Sequence, residues 1–186
     1  MRSTFITTLL LLLFVSCGEP PKQATPVIVD STIDDGGAQR ARLERPMPEF
    51  SRPTLTGDVL ESSSLAGKVT VINFWATWCG PCIVEIPEFV ALYDELAGPD
   101  FEIVGVSSDL EGFEIVAPFA EDFLMQYPIV MDSDGLLGEA FGGVYALPTT
   151  FIVNRAGTIV ERHMGLFSFE ELRSRLEQLL DESEPS

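Results

Sequence analysis

The sequence predicts an α/β fold, a mixed central β-sheet sandwiched by helices, on three observations. Short β-branched and aromatic runs alternate with segments whose apolar residues recur every three or four positions. The final third of the chain instead pairs two strand-like runs and closes with an amphipathic segment. At 186 residues and 46% hydrophobic content, the chain can bury one sizeable core.

Taken in order, residues 50–55 and 59–62 flank Thr56-Gly57-Asp58, which predicts a small hairpin. Residues 69–75 form a compact apolar run after Gly67-Lys68, the pattern of a central strand buried on both faces. A helix follows, because Ile83, Ile86, Phe89, Val90, Tyr93 and Leu96 share a face opposite Glu88 and Glu95. Gly98-Pro99 ends it, and Pro87 lies inside it. Residues 101–107 read as a second buried strand. A helical period over 116–127 follows, with Pro118 compatible only with its first turn. Residues 129–131 form a short strand, and Asp132-Ser133-Asp134-Gly135 a turn and helix cap lacking the further oxygens of a calcium loop. Residues 150–153 and 158–160 flank 154–157 as a hairpin, with His163, the one histidine, on its second strand. Ser168 and Glu171 predict a capping box for a last helix with Phe169, Leu172, Leu176 and Leu179 on its apolar face.

The first fifty residues have another character. Arg2 precedes an apolar run over 5–15 and then Ser16-Cys17-Gly18. Eleven residues, nine of them apolar, fall short of the roughly 20 that span a bilayer, so the segment reads as a signal peptide. The placement of Cys17 resembles a bacterial lipoprotein signal, in which this cysteine is acylated and begins the mature chain. Phe14 departs from the leucine usual three places before it. The alternative is a plain secretory signal or an uncleaved anchor with an incidental thiol. Residues 18–48 carry five prolines and no sustained apolar period, which predicts a flexible tether. The expected organisation is therefore a signal over 1–17, a tether over 18–48, a folded domain over 49–181 and an acidic tail over 182–186.

Eleven basic against 29 acidic residues give a formal charge of −18. No basic face is left to neutralise phosphates, which excludes nucleic acid and anionic headgroups as partners and favours cationic ones. Three cysteines are too few for a disulfide framework: Cys17 stands alone, and Cys79 and Cys82 form a close pair.

The chemistry concentrates at Trp78-Cys79-Gly80-Pro81-Cys82, between a buried strand and a helix. Cysteines three apart at a helix start can close a small disulfide, and the unpaired N–H groups there favour a thiolate on Cys79. A lowered pKa makes Cys79 both nucleophile and leaving group, with Cys82 the resolving thiol. Glu85 lies one turn beyond Cys82 at the edge of the apolar stripe, where desolvation would raise its pKa and suit it to exchange a proton with Cys82. The alternative is a solvated glutamate favoured by the helix dipole. Trp75 and Trp78 read as packing and site-wall residues.

Residues 46–180 resemble the thioredoxin superfamily and, within it, the membrane-anchored TlpA/ResA-type proteins. The resemblance rests on Gly67-Lys68, the run from Asn73 through Cys82, Glu85-Ile86-Pro87 and Leu147-Pro148-Thr149-Thr150-Phe151, in family order and spacing. It implies a thioredoxin-like fold with an N-terminal β-hairpin and a central insertion, and Pro148 as a cis-proline facing the cysteines. Trp78, Gly80 and Pro81 would wall the site. Classical thioredoxins carry a buried aspartate where Asn73 stands here, so Glu85 takes the proton-transfer role by that resemblance. The family implies an extracytoplasmic thiol-disulfide oxidoreductase that uses no cofactor beyond the Cys79–Cys82 couple. Its partners would be exported protein disulfides, commonly those of apocytochrome c or copper sites, and a membrane thiol donor.

Two other chemistries compete. A copper-binding assembly factor would use the pair as soft ligands, but relatives of that kind space the cysteines by three residues and add a histidine. A peroxidase of the peroxiredoxin class would want Thr or Ser three places before the reactive cysteine and Pro four before that; Ala76 and Ile72 stand there. Structural zinc wants four ligands where two exist.

Overall fold

The computed structural model describes residues 27–33 and 39–182. Among them are nine strands and four α-helices: β1 (Val27–Ile33), β2 (Gln39–Pro46), β3 (Ser51–Pro53), β4 (Val59–Glu61), β5 (Val69–Trp75), α1 (Gly80–Leu96), β6 (Phe101–Ser107), α2 (Phe113–Asp122), β7 (Ile129–Met131), α3 (Leu136–Ala140), β8 (Thr149–Val153), β9 (Thr158–Met164) and α4 (Phe169–Asp181). Seven strands make one mixed sheet in the order β1-β2-β9-β8-β5-β6-β7. The β5-β6-β7 part is parallel and the rest antiparallel.

Strand β5 lies inside this sheet between β8 and β6, and every one of its residues is buried. A run of apolar side chains pointing alternately to both faces needs cover on both. On one face Val69, Val71 and Trp75 pack with Ile86 and Phe89 of α1, Val116 of α2 and Leu172 and Leu176 of α4. On the other, Ile72 and Phe74 pack with Leu137 of α3, Phe141 and Leu65. Burying a side chain such as Phe89 or Phe74 stabilises the fold by roughly 1.5–3 kcal/mol each. The 50–62 hairpin forms as β3 and β4, separate from the main sheet. Its Leu55 N–H donates to Ile129 O at 2.9 Å, so it covers the outer edge of β7.

The tether expected over 18–48 is corrected, because β1 and β2 extend the main sheet and the folded domain begins well before residue 49. Strand β2 pairs antiparallel with β9, with Arg40 opposite His163 and Ala41 opposite Arg162. Only Leu43 of β2 is buried, which is why no apolar alternation marks it. Its stability comes from a partner more than 110 residues away in sequence. The signal segment with Cys17, residues 18–26 and 34–38 of the expected tether and the acidic tail beyond Glu182 lie outside the described residues.

Two helix expectations also change. Helix α2 runs from Phe113 to Asp122, so Pro118 lies in its second turn and Tyr127 falls beyond its end. The end is a Schellman turn: Leu124 N–H donates to Glu121 O at 3.1 Å and Met125 N–H to Ala120 O at 2.9 Å. Ser168 is the N-cap of α4, but its hydroxyl makes no capping bond. Glu171 is drawn instead to Arg40 on β2, the strand the capping-box reading left out.

Candidate active site

The site forms where β5 hands the chain to α1. The N–H of Cys79 donates to Ala76 O at 3.1 Å, closing a turn over 76–79. Cys79 is the N-cap of α1: its Sγ accepts from the Cys82 N–H at 3.3 Å and its carbonyl accepts from Ile83 N–H at 3.1 Å. Pro81 in the first turn has no N–H to leave unpaired. The helix begins three residues earlier than its apolar period, because glycine and proline carry no periodic signal. Cys79 and Cys82 are joined as a disulfide with Cα atoms 5.2 Å apart. Cys79 is 5% exposed and Cys82 0%, so one sulfur borders solvent and the other lies beneath it.

Around the disulfide opens a cleft of about 960 Å³. Trp78, Cys79, Gly80 and Pro81 form one wall, and Tyr145 and Leu147 belong to the other. Trp78 and Tyr145 are largely exposed at 69% and 84%, so the rim presents two aromatic rings to an incoming chain. The Leu147–Pro148 peptide bond is cis, immediately before β8. The Pro148 carbonyl accepts from Gly165 N–H at 2.9 Å, fixing this loop against the end of β9.

Glu85 is buried, at 2% exposed, which excludes the solvated alternative. Its Oε1 accepts from Asn73 Nδ2 at 2.9 Å, and Asn73 also donates to Thr150 Oγ1 at 2.9 Å. Its Oε2 is buried with no hydrogen-bond partner among the described residues. Burial pushes the carboxyl up to about 8, against a smaller downward pull from the Asn73 amide. Near neutral pH it therefore holds its proton and can release it. The buried Tyr127 phenol is held well above its ordinary range by desolvation and by the nearby Glu85. Gly105, opposite Asn73 on β6, makes room for this arrangement. A Cβ there would lie 3.0 Å from Trp75 Nε1 and 3.1 Å from Tyr127 Cε2.

Sequence reasoning missed a second buried carboxylate. Asp109 accepts from Thr77 N–H at 3.0 Å, from Thr77 Oγ1 at 2.6 Å and from Ser107 Oγ at 2.8 Å. The only signal in the sequence was its place just past a parallel strand's carboxyl end, where α/β sites gather. His163 lies on β9, buried, with Nε2 2.9 Å from Leu166 O and its ring stacked on Phe167. Among the described residues no group of three or more His, Cys, Asp or Glu is gathered to hold a metal ion.

The fold and the paired cysteines at a helix N-terminus define a thioredoxin-like thiol-disulfide oxidoreductase. The AhpC/TSA family model matches residues 43–162, and the chain belongs to that family, within the TlpA/ResA-type branch of the thioredoxin superfamily. It is 33% identical over 159 residues to the thiol:disulfide interchange protein DsbE of Pseudomonas fluorescens biotype C, covering 82% of this chain and 86% of that one. It is 28% identical over 147 residues to the thiol-disulfide oxidoreductase ResA of Bacillus thuringiensis subsp. konkukian, covering 79% and 82%. The crystal structure of a thioredoxin-family thiol:disulfide interchange protein from Chlorobium tepidum TLS superposes with a TM-score of 0.67 at 30% identity, over 74% of this chain and 97% of that one.

Proposed function

We propose that the protein reduces disulfides of exported proteins outside the cytoplasm, in the manner of cytochrome c maturation, while held at a membrane through acylated Cys17. The observation that carries this reading is the division of labour at the site: a bordering sulfur at a helix N-terminus, a buried sulfur behind it, and a buried carboxyl one turn further on. In the dithiol state the Cys79 thiolate attacks one sulfur of a substrate disulfide and expels the other as a thiolate. The ionised form of Glu85, the minor form at neutral pH and the major one above about 8, accepts the Cys82 proton, and the Cys82 thiolate attacks Cys79 Sγ, expelling the second substrate sulfur. Two electrons pass to the substrate, whose sulfurs take up two protons, and Cys79–Cys82 becomes a disulfide. A membrane dithiol then returns it to the reduced state. No bound cofactor enters the cycle, and Pro148 shapes the cleft where the substrate strand lies beside Cys79.

The direction of electron flow is read from the equilibrium potential of the pair. A value near the −270 mV typical of thioredoxin supports a reductant, and one near about −120 mV makes the protein an oxidant instead. With Cys82→Ser the mixed disulfide has no resolving thiol, so exported substrates are captured on Cys79 and identified by mass. Cys17→Ser should move the protein from the membrane to the soluble fraction while leaving the potential unchanged, since two acyl chains anchor stably where none do. Persistence of the variant in the membrane would remove lipidation from the reading.

A further inference from the structure

Asp109 is the most enclosed ionisable group bound to the active-site loop. It is 0% exposed, and the groups that donate to its carboxylate among the described residues are all neutral: the Thr77 N–H and hydroxyl, and the Ser107 hydroxyl. Its own backbone is tied on both sides, its N–H donating to Ser107 Oγ at 3.1 Å and its carbonyl accepting from Ser133 Oγ at 2.7 Å. Thr77 is the second residue of the turn whose last N–H belongs to Cys79. The carboxylate is thus fixed to the segment that presents the reactive sulfur, with no lysine or arginine among its hydrogen-bond donors to offset its charge.

We propose that Asp109 is a positioning residue that holds the Thr77–Cys79 turn in place and, as a fixed negative charge behind it, restrains ionisation of the Cys79 thiol. The reasoning is electrostatic. The α1 N-terminus favours a thiolate on Cys79, and a buried carboxylate bound to the same turn through Thr77 opposes it. The other titratable groups around the disulfide are Glu85 on α1 and, across the cleft, Asp132, Asp134, Glu139 and Tyr145. All of these are acidic, so none supplies a compensating cation; Arg52 is occupied by Asp134 and Asp132. A destabilised thiolate favours the disulfide over the dithiol, which makes the couple more reducing, the reverse of the strong oxidants whose reduced form is stabilised. Asp109 therefore keeps the helix N-terminus from turning this site into an oxidant.

The test uses the full-length reduced protein and needs no substrate, so its failure is separate from failure of the proposed reductant role. The rate of Cys79 alkylation by iodoacetamide is followed against pH, with peptide mass mapping to assign the label, and the equilibrium potential is measured against glutathione. Asp109→Asn should lower the Cys79 pKa by about one unit. It should make the couple up to tenfold easier to reduce, about 30 mV less negative for two electrons. Thr77→Val keeps the charge but strips one donor from it, so the Cys79 pKa should move the opposite way, upward. A folded Asp109→Asn protein with the wild-type alkylation profile and potential overturns the proposal, whatever its melting temperature. If Asp109→Asn does not fold, Thr77→Val decides alone, and an unchanged or lowered Cys79 pKa overturns it.

Discussion

Glu85, the side chain proposed to move a proton, also carries a stability cost. Its carboxyl is raised to about 8 in the folded protein from an ordinary 4.5. Between those values the unfolded chain has released the proton that the native state still holds. Stability therefore falls as pH rises through that window, by on the order of 5 kcal/mol at most once both states are ionised. Glu85→Gln removes the titration while keeping the shape and an acceptor for Asn73. Denaturant unfolding of the oxidised variant should be flat between pH 5 and 9 where the wild type weakens. The same substitution should flatten the pH profile of mixed-disulfide resolution near 8, and an unchanged profile would take Glu85 out of proton transfer. Asn73→Ala, which removes this amide's hydrogen bond to the carboxyl, should push the wild-type transition higher still. The place of Glu85 on the buried side of α1, one turn from Cys82, was readable from their helical spacing. Its partner was not, because an amide on a strand twelve residues earlier announces nothing about where it points.

At the level of elements, what the sequence disclosed depended on how much of each element is buried locally. Strands β5, β6 and β8 are enclosed on nearly every side chain, so their composition alone identifies them. The end of α2 is the opposite case. Leu124 occupies the left-handed position of the Schellman turn at φ 57°, where glycine is the usual signal, and its side chain is 70% exposed. With no glycine or asparagine to mark it, the apolar period reads straight through to Tyr127. A left-handed conformation costs a residue with a Cβ roughly 1–2 kcal/mol, and glycine returns part of that gain through its freer unfolded chain. Leu124→Gly should therefore stabilise the protein by about 0.5–1 kcal/mol, read as a higher urea midpoint at unchanged slope. A lower midpoint would show that the exposed leucine makes contacts that outweigh its backbone strain.

For the whole molecule, the boundary between linker and domain is where the sequence misled, and the reason is long-range pairing. Residues 39–46 are mostly polar, yet they cover the edge of β9, join Arg40 to the buried Glu161 at 3.1 Å and bring Leu43 into the core beside Ile72 and Phe74. Beginning the domain at residue 49 would leave β9 as an open edge with a row of unpaired backbone groups. Deletion of 27–48 should consequently cost several kcal/mol: about 1.5–3 from Leu43 burial and more from the lost ladder and the Glu161 partner. The loss should appear as a lower denaturant midpoint and a smaller slope, because less surface is hidden in the native state. Self-association through the uncovered strand should appear in sedimentation. The Cys79–Cys82 couple is held by β5, α1 and the 76–79 turn, none of which touches β2 in the sheet, so the potential of the folded deletion variant should match that of the full chain. A wild-type midpoint would mean that β1 and β2 add nothing to the domain, and a shifted potential would mean that they reach the site.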